Sequence, residues 1–231
     1  MGNKILVPLD GGYGRAVEGL GDLVSYIPDF FENPNDYCLV LFTGGEDVSP
    51  FLYGETSPDG LCYNSPKRDR IEAAIFNHAL KHGIRMTGIC RGSQFINVMS
   101  GGRMLHHIEN HSCYHDVETT KGEIFETNST HHQMSIPPKD GFVIGWCAKN
   151  RSSIYIGDKD LPVEWNGPET EMILIPRTLC CGVQWHPETM NGKSMGYIYY
   201  HNLIARFLER NIDTFAAEYV KIGKENGNIL G

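Results

Sequence analysis

Residues 84–94 read Ile84-Arg85-Met86-Thr87-Gly88-Ile89-Cys90-Arg91-Gly92-Ser93-Gln94, an apolar strand that breaks at a G-x-C-x-G turn and continues as a helix. This is the cysteine form of the nucleophile elbow, a sharp strand-to-helix turn that lifts one side chain above a sheet. The flanking glycines leave room for the turn, and the turn strains the backbone of the residue at its tip. The start of the next helix favours thiolate over thiol at Cys90. The main-chain N–H of Arg91 then falls where an oxyanion would form. A free cysteine is also an ordinary small core residue, so the elbow alone leaves catalysis and packing both open.

The flanking elements give the fold class. Residues 4–9 read as a buried strand ending at Asp10-Gly11-Gly12, residues 14–26 as a short helix, and Pro28 with Asn33-Pro34-Asn35 as breakers. The unbroken apolar run 37–42, closed by Thr43-Gly44-Gly45, suits a strand covered on both faces. Residues 67–82 have helical spacing, with Ile71, Ala74, Ile75 and Ala79 on the apolar face. Residues 103–140 are rich in His, Thr and Asn and read as loops and short strands. Strands follow at 142–148, 154–156, 172–176 and 181–185, then a helix over 194–210. Alternating strands and helices predict one α/β domain over residues 1–221 with a mostly parallel central sheet, and a flexible tail at 222–231.

Two further features bear on Cys90. Gln184-Trp185-His186-Pro187-Glu188 ends an apolar strand. A thiol nucleophile needs an imidazole to carry its proton and a carboxylate to orient that imidazole; residues i and i+2 of extended backbone project to one side. His186 and Glu188 fit those roles, against the plainer reading of a strand-end histidine beside a solvated acid. Thr43-Gly44-Gly45 also ends a strand, where the loops of a parallel sheet gather their functional groups, and Gly45 can supply a second oxyanion N–H.

Composition bounds the rest. The 231 residues are 41% hydrophobic and 21% charged, with a formal charge of -8 and no basic run, which argues against nucleic-acid binding. No stretch approaches membrane-spanning length and no secretory leader is visible. Seven scattered cysteines without a CxxC pair suit a reduced cytoplasm rather than a disulfide framework, and leave the Asn128-Ser129-Thr130 sequon without a glycosylation role.

At this level of detail the chain resembles the class I glutamine amidotransferase superfamily. Residues 88–94 match its G-x-C-x-G-x-Q pattern and Gly182-Val183-Gln184-Trp185-His186-Pro187-Glu188 its G-x-Q-x-H-P-E pattern. Residues 43–50 with Tyr53-Gly54-Glu55, Arg68-Asp69, and Asn128-Ser129-Thr130-His131-His132-Gln133 are similar to the gamma-glutamyl hydrolase-like cysteine peptidase branch, which includes gamma-glutamyl-gamma-aminobutyrate hydrolases. The resemblance extends over residues 37–208. It implies a flavodoxin-like three-layer α/β/α sandwich and a Cys90–His186–Glu188 triad. It also implies oxyanion N–H groups from Gly45 and Arg91, a glutamyl contact from Gln94, and a pocket wall from Ser129, His131 and His132. The reaction implied is hydrolysis of a small gamma-glutamyl substrate through a glutamyl thioester, without a cofactor. The short stretch ahead of Thr43-Gly44-Gly45 suggests that one β–α unit is trimmed, and Asp10-Gly11-Gly12 has no counterpart in the pattern.

His106, His107, His111 and His115, with Cys113 among them, invite a metal reading. Residues 107, 111 and 115 would share a helical face, but Gly101-Gly102 and the polar residues between them disfavour a helix, and no zinc-type spacing supports one. They are expected to be substrate-loop or surface histidines, with no metal. Three functions then compete: a standalone gamma-glutamyl amide hydrolase, a glutaminase subunit feeding ammonia to a synthetase partner, and a binding relic of the fold. The first is favoured by the Tyr53-Gly54-Glu55 and His131-His132 matches, the last disfavoured by retention of both Cys90 and His186.

Overall fold

The computed structural model describes residues 2–225. The first half of the chain holds β1 (Lys4–Leu6), β2 (Asp22–Val24), α1 (Ile27–Glu32), β3 (Tyr37–Phe42), α2 (Pro66–Lys81), β4 (Arg85–Ile89) and α3 (Arg91–Met99). The middle adds β5 (Arg103–Leu105), β6 (His107–Ile108), β7 (His115–Thr119), β8 (Ile124–Thr127), β9 (Met134–Ile136), β10 (Phe142–Cys147) and β11 (Tyr155–Ile156). The last part holds β12 (Thr170–Ile175), β13 (Cys180–Val183), α4 (Met195–Glu209) and α5 (Ile212–Glu225).

Nine strands form the main sheet in the order β2-β1-β3-β4-β13-β12-β10-β7-β8. The five from β2 to β13 run parallel, and the sheet continues antiparallel through β12, β10, β7 and β8. Each face is covered. Alternate residues of one strand serve opposite faces: Leu39 and Leu41 join the core closed by Tyr200, Leu203 and Ile204 of α4 and Phe215 of α5. Val40 and Phe42 join the core closed by Phe30 of α1, Ile75 and Phe76 of α2 and Phe95 of α3. This double burial is why residues 37–42 carry no polar alternation, and it yields the expected α/β/α sandwich.

Parallel strands put their carboxyl ends on one edge. The segments following β1, β3, β4 and β13 therefore converge, and they carry Asp10-Gly11-Gly12, Thr43-Gly44-Gly45, Cys90 and His186. Among the described residues, no helix is long and apolar enough to cross a membrane.

Several elements differ from the sequence expectation. Residues 14–26 form a short 3-10 turn, Tyr13–Val17, and the edge strand β2 instead of a helix, because Gly14, Gly19 and Gly21 penalise a longer helix. Pro28 opens α1 rather than breaking it; in a first helical turn its missing N–H has no partner to lose. Ile71 and Ala74 of α2 face solvent, and the buried face carries Asp69, Glu72, Ile75, Phe76 and Ala79. Part of the 103–140 region extends the main sheet through the β7–β8 hairpin. The first residues of the expected tail continue α5 to Glu225, and residues 226–231 lie outside the described residues.

Candidate active site

Cys90 caps α3 with φ 52° and ψ -112°, a positive-φ conformation that a residue with a Cβ rarely adopts. The elbow closes only with glycine on both sides: a Cβ on Gly88 would meet the Gly92 backbone, and one on Gly92 the Phe42 carbonyl. The main-chain N–H of Cys90 donates to the Val183 carbonyl at 2.8 Å, tying the elbow to the strand that leads to His186. As the first residue of α3, Arg91 has no preceding turn to receive its N–H.

A cleft of about 270 Å³ is lined by Tyr13, Gly45, Asp47, Cys90, Arg91, Gln94, Thr130, His131, His132 and His186. Behind it, His186 Nδ1 donates to Glu188 Oε1 at 2.7 Å. That bond holds the ring and points Nε2 into the cleft, 2.9 Å from the Thr130 hydroxyl. Burial works against protonation of His186, but the neighbouring Cys90 and Glu188 outweigh it and push its pKa up to about 10. Asn128 clamps the histidine backbone from both sides: its amide donates to the His186 carbonyl at 3.1 Å and its oxygen accepts the His186 N–H at 3.1 Å.

The two candidate oxyanion donors are braced by one turn of α2. Arg68 donates to the Thr43 carbonyl at 2.8 Å, to Glu72 at 3.0 Å and to Glu46 at 3.1 Å. Gly45 takes φ +135°, and a Cβ there would strike the Arg68 guanidinium. On the other side Arg91 forks onto Asp69 and Glu72, with its guanidinium 5.0 Å from the Phe95 ring centre. Asp69 also accepts the Ser49 N–H at 3.3 Å. Burial and the nearby Arg68 pull the Arg91 pKa down to about 10, so it stays cationic at neutral pH. This network explains why α2 buries carboxylates where its periodicity suggested an apolar stripe: they neutralise a guanidinium that is 1% exposed.

Cys90, Gly45, Arg91, Gln94, His131, His132 and His186 thus meet in one cleft, with Glu188 directly behind His186. Ser129 is buried, its hydroxyl unpartnered, and it is not among the lining residues. His132 donates from Nε2 to Asp47 at 3.2 Å and lies 3.5 Å from His107. His106, His111 and His115 are buried at 0%, 1% and 5% exposure, which corrects their reading as surface or substrate-loop residues. His106 pairs with Glu55 at 2.9 Å, and the other two face Glu169 and Glu171.

Sequence reasoning missed Tyr13, Asp47, Asn128 and the α2 brace, while Thr130 falls within the Ser129–His132 wall implied by the resemblance. Asp10-Gly11-Gly12 held the signal for the first: Asp10 accepts the Gly14 N–H at 2.7 Å, and the turn brings the Tyr13 ring within 6.2 Å of the His186 ring. Burial, with Glu188 and Cys90 nearby, raises the Tyr13 pKa to about 12 and keeps the phenol neutral. The Asn-Ser-x-His-His-Gln string held the signal for Asn128.

Fold and cleft together define an α/β protein whose cysteine elbow faces a carboxylate-held histidine. The family model for peptidase C26 matches residues 34–154, and the chain belongs to that family. It is 32% identical over 192 residues to the glutamine amidotransferase-like protein YvdE of Lactococcus lactis, covering 74% of this chain and 76% of that relative. It is 27% identical over 158 residues to the gamma-glutamyl-gamma-aminobutyrate hydrolase PuuD of Escherichia coli, covering 62% of this chain and 60% of that hydrolase. In fold it is similar to a GMP synthase subunit from Thermoplasma acidophilum (TM-score 0.54, 16% identity, covering 97% and 98% of the two chains).

Proposed function

We propose that the chain is a cysteine hydrolase that cleaves the gamma-glutamyl amide bond of a small gamma-glutamyl amine or glutamine-like substrate. The observation that carries the reading is the strained Cys90 at the head of α3, sharing one cleft with an imidazole whose far nitrogen is held by Glu188. Membership of peptidase C26 and the similarity to a gamma-glutamyl-gamma-aminobutyrate hydrolase support the substrate class.

In this mechanism His186 Nε2 holds the Cys90 proton as the sulfur attacks the gamma-carbonyl carbon. The carbonyl oxygen becomes an oxyanion between the N–H groups of Gly45 and Arg91. Collapse of that intermediate breaks the C–N bond, and His186 gives its proton to the departing amine. Cys90 then carries a glutamyl thioester. Water enters, His186 takes its proton, hydroxide adds to the thioester carbonyl, and collapse releases glutamate and the Cys90 thiol. Glu188 orients the imidazole and stabilises its cationic form. Gln94 and His132 are assigned to binding the glutamyl part, with the buried His131 and Ser129 supporting that wall, in a reduced cytoplasm.

A second reading, a glutaminase subunit that delivers ammonia to a synthetase partner, is favoured by the fold shared with the Thermoplasma GMP synthase protein. One experiment separates the two: release of glutamate from glutamine and from a panel of gamma-glutamyl amines, with Cys90→Ala as control. Turnover of a gamma-glutamyl amine well above that of glutamine supports the standalone hydrolase. Weak glutamine hydrolysis alone supports the glutaminase reading, and glutamate release unaffected by Cys90→Ala overturns both.

A further inference from the structure

A second cluster of titratable side chains is built on the 129–133 segment and meets the Cys90 cleft only through His131. It consists of His111, His115 at the start of β7, His131, Glu169, and Glu171 on β12, with side chains 0–1% exposed. Three ring nitrogens converge on Glu171 Oε1: His111 Nδ1 at 3.2 Å, His115 Nε2 at 3.1 Å and His131 Nε2 at 3.2 Å.

The opposite nitrogen of each ring also faces an acceptor. His131 Nδ1 lies 2.9 Å from the Gln133 carbonyl, His115 Nδ1 3.4 Å from the Cys113 carbonyl, and His111 Nε2 2.9 Å from Glu169 Oε2. A neutral imidazole has one N–H and one lone pair. Rings that donate outward therefore turn three lone pairs toward one carboxylate oxygen. Satisfying both sides with protons alone takes three imidazolium ions against two carboxylates in a pocket shielded from water, an expensive excess of charge. Two atoms have no hydrogen-bond partner at all: His111 Nδ1 and Glu171 Oε2, both buried.

We propose that His111, His131 and Glu171 form a binding site for a divalent transition-metal ion of the zinc class. One donor atom from each lies within 4.8 Å of the other two. A tetrahedral ion with bonds near 2.0–2.1 Å spaces its ligands by about 3.3 Å, close to the nitrogen–carboxylate separations here. Imidazole and carboxylate together suit zinc better than magnesium or calcium, which prefer all-oxygen shells. The outward N–H bond from His131 to Gln133 is the kind of support that fixes a ligating tautomer. His115 Nε2 lies 3.1 Å from the same carboxylate oxygen, beside the proposed ion. Cys147, which with His111 and Glu169 makes an alternative grouping, donates its thiol to the Lys149 carbonyl at 3.1 Å and is left out of the donor set.

The ion pins the 128–133 segment to β12. Asn128 of that segment clamps His186, and Thr130 and His132 line the cleft, so the site is a structural clamp behind the cleft wall and takes no part in bond making.

The test uses the full chain carrying Cys90→Ala, which removes the cleft thiol as a competing ligand. The protein is stripped with chelator, then titrated with zinc chloride by calorimetry, and bound metal is counted after desalting. The expected result is one equivalent of zinc and a thermal midpoint raised by about 5 °C or more at saturating metal. Introducing His111→Gln should abolish the stoichiometric binding. Cobalt(II) in place of zinc should give ligand-field bands without a thiolate charge-transfer band, a readout that needs no further variant to fold. A folded Cys90→Ala protein that takes up no stoichiometric zinc overturns the proposal. So does a His111→Gln protein that still binds one equivalent, or a thiolate band in the cobalt spectrum.

Discussion

His186 and His131 both border the Cys90 cleft, and their surroundings differ in a way that separates two uses of histidine. His186 has one committed nitrogen, held by Glu188, and one that faces the cleft beside Cys90, with its side chain 13% exposed. His131 has both nitrogens committed, to the Gln133 carbonyl and to Glu171, and its side chain is 1% exposed. An imidazole with one nitrogen open to a cleft can pick up and return a proton; one enclosed by acceptors can only hold its neighbours in place. The residues around Cys90 are therefore arranged for turnover, and those around Glu171 for rigidity.

The largest effect expected from this contrast is at the open nitrogen. His186→Ala should lower glutamate release by roughly 10^4-fold, the upper range for a lost general acid–base. A variant that keeps wild-type turnover would erase the distinction. The next largest effect should fall on stability. Arg91→Met leaves Asp69 and Glu72 buried without their cation, which should cost about 3–5 kcal/mol, read as a large drop in the urea midpoint. Arg91→Lys restores charge but not the fork, and should recover only part of it.

His115→Gln sharpens the comparison from the other side. It takes an imidazole off a buried carboxylate, so about 1–3 kcal/mol of stability should be lost before turnover changes appreciably. Equal losses of rate and stability would place His115 with the cleft instead. A further effect is in pH. The His186 pKa is raised to about 10, so its contribution to stability is complete below the unfolded value near 6.5 and fades as pH climbs through 10. The gap in thermal midpoint between parent and His186→Gln should accordingly narrow between pH 6.5 and 10.

Legibility in the sequence followed the distance over which each feature is built. The elbow at Cys90 and the His186–Glu188 pair are local: two glycines, one strand end and an i, i+2 spacing set them, so the string of residues carries the geometry. The doubly buried strand at 37–42 was readable for the same reason. The α2 face was not. Asp69 and Glu72 look like solvent-facing charges until Arg91, some twenty positions away, is placed against them. The histidines at 111, 115 and 131 are likewise far apart in sequence, His115 on β7 and the other two on loops, and meet at Glu171 only in the folded chain. Tyr13 entered the cleft through a turn whose glycines signalled a change of direction but not its destination.

The most direct measurement is acid quench of the protein during turnover of a gamma-glutamyl amide, followed by mass spectrometry of the peptide that contains residue 90. A glutamyl adduct on Cys90, absent from Cys90→Ala together with all but a trace of turnover, is the expected result. Undiminished glutamate release by Cys90→Ala, with no adduct on the parent protein, would contradict the assignment of Cys90 as the nucleophile.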